Sequence, residues 1–338
     1  MPASVASSEP EEEQQNFIID IDTLQSHGIN AADIAKLKLA MYFTVGSVQS
    51  TPTKRLLLIK GFSDIKVEKV KEACKKCQAA GSRFMTAAEL LLKRKTCFRL
   101  STGSASFDKM LGGGFESRSV NEVFGEFRCG KTQLSHTLAV VAQLPVSRGG
   151  GNGKVVILDT EGTFRPERII QIAERFDIDP EAANENIIIH RANNSEDQQE
   201  TLCALGELFV GGEYRLLIVD SILNLFRSDY QGRGELNERQ QKLNVHLRKL
   251  ADFAEEFNIC VFMTNQVQSD PGAMSFAGAD GRKPVGGHVL AHASATRVLL
   301  RKGRADERVA KLMDSPDCPE SEATYVITQG GINDPDKA

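Results

Sequence analysis

From about residue 99 onward, short unbroken apolar runs alternate with longer stretches whose apolar residues recur at helical spacing. KVVILD precedes PERIIQIAERF, NIIIHRA precedes SEDQQETLCALGELFVGG, and RLLIVDSI precedes LNERQQKLNVHLRKLADFAEEFN; ICVFMTNQ closes the series. Continuous apolar strands between helices are what a parallel sheet covered on both faces requires. After ICVFMTNQ the helical pattern stops, and TRVLLRKG, RVAKLMDS and ATYVITQGGI predict added strands in antiparallel hairpins. Nothing repeats at a fixed period. The fold class is therefore α/β, a core built on a mostly parallel sheet and spanning residues 99–338.

The pattern upstream is different. Residues 1–18 predict a disordered acidic tail, with EPEEEQQ solvated. Residues 19–77 predict a small all-helical domain. IDTLQSHG predicts a helix stopped by Gly28, and INAADIAKLKLA sets Ile34 and Leu37 on one face. LLLIKGFSDIKVEKVKE predicts a helix, a two-residue Lys60-Gly61 turn, and a second helix capped by Ser63. This has the form of a helix–hairpin–helix module, which presents backbone N–H groups to DNA phosphate; a plain packing domain is the other reading. Residues 78–98 predict a linker with a short helix.

Composition narrows the possibilities. The chain has 338 residues and a net charge of −4, so it has no basic surface for wrapping nucleic acid without specificity, although a local basic groove is allowed. No apolar run approaches the roughly 20 residues of a membrane-spanning helix. The N-terminus predicts no secretory or transit segment, which points to the nucleus or cytosol. Seven scattered cysteines suggest no disulfide framework, and Cys74 and Cys77 read as one turn of a helix rather than half a zinc site.

The chemistry concentrates in GEFRCGKT, which fits G-x-x-x-x-G-K-[ST] with Gly125, Gly130, Lys131 and Thr132, between an expected strand, NEVF, and an expected helix. Glycines let backbone N–H groups close on phosphate oxygens, and the helix N-terminus adds positive dipole. The nucleotide loop is read as Gly125, Glu126, Phe127, Arg128, Cys129, Gly130, Lys131, Thr132 and Gln133, with ATP and Mg²⁺ as cofactors. Lys131 would reach the β- and γ-phosphates and Thr132 the Mg²⁺, while Asp220, ending RLLIVD, would order the metal's water shell. Glu161, just past the end of KVVILD, or the nearby Asp159 would orient the attacking water; Glu161 is the candidate. Gln266, ending another strand, has two readings: a γ-phosphate sensor, or a satisfied core amide.

Two flexible stretches follow strands at the same edge. Residues 227–241 contain Arg227, Arg233, Gly234 and Arg239; residues 267–288 contain Pro271, Gly272, Arg282, Lys283, Gly286 and Gly287. They fit catalytic lids, loops that order on a nucleic-acid backbone, or solvated surface.

GEFRCGKTQLSHTL, LDTEGTFRPERI, LLIVDSI, GRGELNERQQKL, TNQVQSDPGA and GGHVLAHASATRVLLRKG, taken in order, resemble the eukaryotic RecA-like strand-exchange recombinases, and within them the meiosis-specific branch. The resemblance covers residue 19 to the C-terminus. It implies a nuclear, DNA-dependent ATPase with a RecA-like core. Such a protein forms a helical filament on single-stranded DNA and exchanges strands with a homologous duplex, binding itself, both forms of DNA, and mediator and accessory proteins, but no membrane. Arg168 matches the arginine over the adenine. His292, Asp314 and Pro319 match residues that reach the neighbouring protomer's nucleotide. Phe84 and Ala87 match the polymerisation motif, Arg233 a DNA-backbone contact, and Pro271 a wedge between base triplets. The remaining alternatives are the mitotic paralogue, a non-catalytic mediator of the same fold, and a helicase or small-molecule kinase sharing only the phosphate loop. The chain departs from the family pattern at Asn193, Asp197, Asn224 and Ser228, and MYFTVGSV lacks a usual glycine.

Overall fold

The computed structural model describes residues 18–77, 85–232, 234–269 and 282–335. The chain divides into two compact units, residues 1–80 and 81–338.

In the first unit, Ile21–His27 is a 3-10 helix rather than an α-helix; Asp20 caps it, and Gly28 ends it at a φ of 84°. Helices Ala31–Leu39, Val45–Ser50, Thr53–Leu56 and Asp64–Cys77 follow. Their apolar faces meet in one core that includes Leu24, Ile34, Leu37, Val48, Leu56, Val67 and Val70. Lys71 Nζ donates to the carbonyls of Val48, Gln49 and Thr51, closing the end of the Val45–Ser50 helix. The expected hairpin is present with different bounds. Its first helix stops at Leu56, because the N–H groups of Leu58 and Ile59 bond three residues back and tighten the chain before Gly61, where φ is 86°. Cys74 and Cys77 lie on the last helix, and no cluster of three or more potential ligands that could hold a metal occurs among the described residues.

In the second unit, β1 (Arg99–Leu100) and β2 (Phe115–Glu116) form a small ribbon. The main sheet contains β3 (Ser119–Gly125), β4 (Lys154–Asp159), β5 (Ile187–Arg191), β6 (Tyr214–Asp220), β7 (Cys260–Ser269), β8 (Arg282–Pro284), β9 (Thr296–Lys302), β10 (Glu307–Asp314), β11 (Glu322–Thr328) and β12 (Gly331–Asn333). The order is β12-β11-β10-β9-β3-β7-β6-β4-β5, with β8 paired to β7. The six strands from β9 to β5 in that order run parallel, as the unbroken apolar runs require; Val155–Leu158, Leu216–Val219 and Cys260–Met263 are all buried.

The expected antiparallel hairpins are present, β9 with β10, β10 with β11 and β11 with β12, but β9 also pairs parallel with β3, and helices do not stop after ICVFMTNQ as expected. The reason is a short helix, Gly287–Ala293, that the glycine-rich sequence concealed and that returns the chain across the sheet before β9. Among the described residues no helix is long and apolar enough to cross a membrane.

Parallel strands end at a common edge. The register puts Gly125 beside Gln266 and Asp159 beside Asp220. That edge carries the site.

Candidate functional site

A cleft of about 780 Å³ opens at this edge, lined by the phosphate loop, Glu161, Thr163, Asp220, Gln266, Val267, Lys302 and Ile327. Two glycines are sterically required. A Cβ on Gly125 would lie 2.2 Å from the Leu300 carbonyl oxygen, and one on Gly130, where φ is 103°, would lie 2.8 Å from Ile327 Cδ1. The helix Lys131–Val141 starts at Gly130, so its first N–H groups face the loop. Lys131 Nζ lies over the loop, donating to the carbonyls of Gly125 and Glu126 at 2.9 and 2.8 Å. Beneath, the buried Tyr325 hydroxyl donates to the Cys129 carbonyl at 2.7 Å. Of the loop residues, Cys129 alone points its side chain inward: burial raises its thiol pKa, and Sγ donates to the Glu126 carbonyl. Phe127 is exposed, with the Arg128 guanidinium over its ring.

The three acidic side chains separate by environment. Asp220 is buried, and burial pushes its carboxyl pKa up against hydrogen bonds from Thr264 and Thr132. A desolvated carboxylate beside a threonine hydroxyl is the donor chemistry that a hard divalent cation stabilises, so these residues fit Mg²⁺. Asp159 is engaged elsewhere, accepting from the N–H groups of Glu161, Gly162 and Phe164 at 3.0, 2.7 and 3.1 Å. That arrangement shapes the loop that carries Glu161. Glu161 Oε1 accepts from Ser221 Oγ at 2.9 Å and from Gln266 Nε2 at 3.1 Å. Gln266 is exposed at the cleft rather than sequestered as a core amide.

Other sequence candidates lie apart from the cleft. Arg168 Nε donates to Gln133 Oε1 at 2.8 Å, and its remaining nitrogens bond Gln171 and the Thr328 and Gln329 carbonyls, beside the lining rather than in it. His292 is exposed on the helix Gly287–Ala293. Asp314 pairs with Arg297, and Arg297 with Glu122, so Asp314 sits level with the middle of β3, three residues before Gly125. Asp314 and Pro319 are exposed, and neither lines the chain's own cleft.

Arg227 is exposed at the end of the helix Asn224–Asp229, Gly234 is exposed, and Arg239 is half-buried on the helix Leu236–Phe257. Arg282 and Lys283 fall in β8, opposite Ser269 and Gln268. Gly286 and Gly287 adopt φ values of 109° and 63° where the next helix begins. Ala87 opens a helix, Ala87–Arg94, set by a Thr86–Glu89 capping box. Phe84, Arg233, Pro271, Gly272 and the acidic tail through residue 17 lie outside the described residues.

Several contributors escaped the sequence reading. His136 Nδ1 donates to the Thr132 carbonyl at 2.7 Å, and Nε2 accepts the Arg165 N–H at 3.2 Å, which fixes a neutral ring; burial lowers its pKa to about 4. Glu122, fully buried, accepts from Arg297 Nε and Asn265 Nδ2. Asn265 also bonds the Val285 carbonyl at 2.7 Å and accepts the Gln266 N–H at 2.8 Å, tying the ends of the 267–284 hairpin to the sheet. A charged residue inside the apolar run NEVF was the available signal for Glu122. Asn193 and Asp197 flank a helix start capped by Asn194: Asp197 accepts the Asn193 N–H, which lowers its pKa, and bonds His190 at 3.0 Å.

Known proteins show the same relationship along the whole chain. The family model described as Rad51 matches residues 93–335. The chain is 59% identical over 332 residues to the meiotic recombination protein DMC1 of Saccharomyces cerevisiae, covering 98% of this chain and 99% of that one. It is 60% identical over 323 residues to the meiotic recombination protein DLH1 of Candida albicans, covering 95% and 99%. Against the DMC1/LIM15 homolog of Homo sapiens it is 52% identical over 334 residues, covering 98% of each.

Proposed function

Because the chain belongs to the Rad51 family, we propose that it is a meiotic recombinase: a nuclear, DNA-dependent ATPase that polymerises on single-stranded DNA and exchanges it into a homologous duplex. The observation that carries this reading is the contact between Glu161 and Gln266 at the phosphate cleft. Gln266 stands in β7 directly before Val267–Ser269, which pair with β8, and the second candidate DNA loop, residues 267–288, starts there. The group best placed to activate water therefore bonds a group at the root of a DNA-binding element.

The loop N–H groups and Lys131 bind the β- and γ-phosphates of ATP. Thr132 and Asp220 would hold Mg²⁺, which supplies positive charge at those phosphates. Glu161 orients and deprotonates the attacking water, and Gln266 registers whether a γ-phosphate is beside it. Arg168 stands next to Gln133, within reach of a base at the cleft's end. His292, Asp314 and Pro319 serve a neighbour's nucleotide, which fits their distance from this chain's own cleft.

Self-association would use Phe84 and Ala87. A fitting acceptor is β5, an edge strand that exposes Ile188 and Ile189 at 39% and 41%, where an extended segment of a second copy can add. Arg227, Arg233, Gly234, Arg239, Pro271, Gly272, Arg282, Lys283, Gly286 and Gly287 form or shape the DNA-binding loops, and mediator and accessory proteins are expected partners.

The test is electron microscopy of the protein on single-stranded DNA with a non-hydrolysable ATP analogue, paired with a strand-exchange assay. Regular extended filaments and exchange are expected with ATP, and neither with ADP or with Lys131→Ala. Equal coating and exchange without nucleotide would sink the reading.

A further inference from the structure

Thr160, immediately before Glu161, is buried, and each of its polar groups is engaged. Its N–H donates to the Asp220 carbonyl at 2.9 Å; its hydroxyl donates to the Ser221 carbonyl at 2.9 Å and accepts the Ser221 N–H at 2.8 Å. Its own carbonyl accepts Nδ2 of Asn224 at 2.9 Å. The partners of the N–H and hydroxyl are backbone groups of β6 and the turn after it, and they persist whatever side chain stands at 224. The last partner is a side chain that the phosphate-site motifs do not require.

The Thr160 carbonyl belongs to the peptide unit whose N–H is that of Glu161, and that N–H donates to Asp159 at 3.0 Å. Asp159 thus holds one polar end of the Thr160–Glu161 peptide and Asn224 the other. Rotation of this unit would swing the Glu161 side chain. Beyond it, the carboxylate relies on Ser221 Oγ and on the exposed Gln266 amide. Asn224 also opens the helix Asn224–Asp229, whose last turn carries Arg227, so the residue that holds the Thr160 carbonyl shares an element with the start of the first candidate DNA loop.

We propose that Asn224 is a positioning residue for ATP hydrolysis: its amide locks the Thr160–Glu161 peptide and keeps the Glu161 carboxylate in line with the γ-phosphate. This rests on the reading of Glu161 as the water-activating group. Loss of one hydrogen bond to the backbone lowers kcat by about three- to tenfold.

The experiment measures kcat and KM for ATP, with single-stranded DNA, in Asn224→Ala and Asn224→Asp. Aspartate keeps the shape of asparagine but, ionised, donates nothing. A loss of kcat is expected in both variants, at least as large in Asn224→Asp because a carboxylate oxygen then faces the Thr160 carbonyl, with KM and DNA affinity unchanged and a modest fall in Tm for the lost bond. Wild-type kcat in either variant overturns the proposal, as does a fall in kcat accompanied by a raised KM and weakened DNA binding, which marks a general structural role. Glu161→Gln separates the two levels. Wild-type turnover in that variant removes the reading of Glu161 itself, whereas an inactive Glu161→Gln beside a fully active Asn224→Ala removes only the role of Asn224. In single-turnover measurements on Glu161→Gln, adding Asn224→Ala should cost nothing further.

Discussion

A proton on His136 would have to enter a buried ring whose Nε2 already accepts the Arg165 N–H. Burial holds the folded-state pKa near 4, below the value of about 6.5 in an unfolded chain. Between those values the unfolded chain binds more protons, so the stability from the neutral ring is complete above about pH 6.5 and is lost as pH falls toward 4. The loss is on the order of 3 kcal/mol. His246, buried with a pKa lowered to about 3, acts in the same direction. Tm should fall between pH 7.5 and 5, and by less in His136→Gln; an identical fall in the variant would clear His136 of the effect. At this scale the 125–132 loop was legible as a glycine-bounded turn opening a helix, because G-x-x-x-x-G-K-T sets that shape by spacing alone. The choice between Asp159 and Glu161 was not, since they stand two residues apart at the end of the same strand and only the hydrogen bonds show which one is committed to the loop.

Among elements, the helix Ala105–Met110 owes its start to the far end of the chain. Asp334 accepts from the Ser104 and Ser106 hydroxyls, each at 2.6 Å, and from the Ala105 and Ser106 N–H groups. Desolvation raises its carboxyl pKa, but these four bonds outweigh it and bring the value to about 2. That carboxylate's stabilisation is present above about pH 4 and is lost as pH falls through 2. Asp334→Ala should lower stability by about 1 kcal/mol at neutral pH, read by urea melts, with the difference from wild type vanishing in strong acid. A cap from over 200 residues away leaves no local trace in sequence. For a similar reason the strands were legible and the sense of β9 was not: apolar periodicity reports which faces are buried, not the direction in which the chain re-enters the sheet. The helix Gly287–Ala293 stayed hidden because its N-cap and first residue are glycines at positive φ, which read as loop.

For the molecule as a whole, the change from scattered helical spacing to alternating strand and helix near residue 99 marked two regions, and the structure has two units divided near residue 80. Assembly is the property that a single protomer displays least. Phe84→Glu should yield monomers in sedimentation, because a charge cannot enter an apolar pocket unpaired; oligomers of unchanged size would contradict the role given to that residue. The placement of Asp314 and Pro319 away from the chain's own phosphate loop has a further consequence. If each subunit lends those residues forward, a row of subunits always ends with one whose nucleotide is left half enclosed. The two tips of the polymer are then chemically unlike, short oligomers turn over ATP less efficiently per subunit than long ones, and growth and shedding acquire a direction.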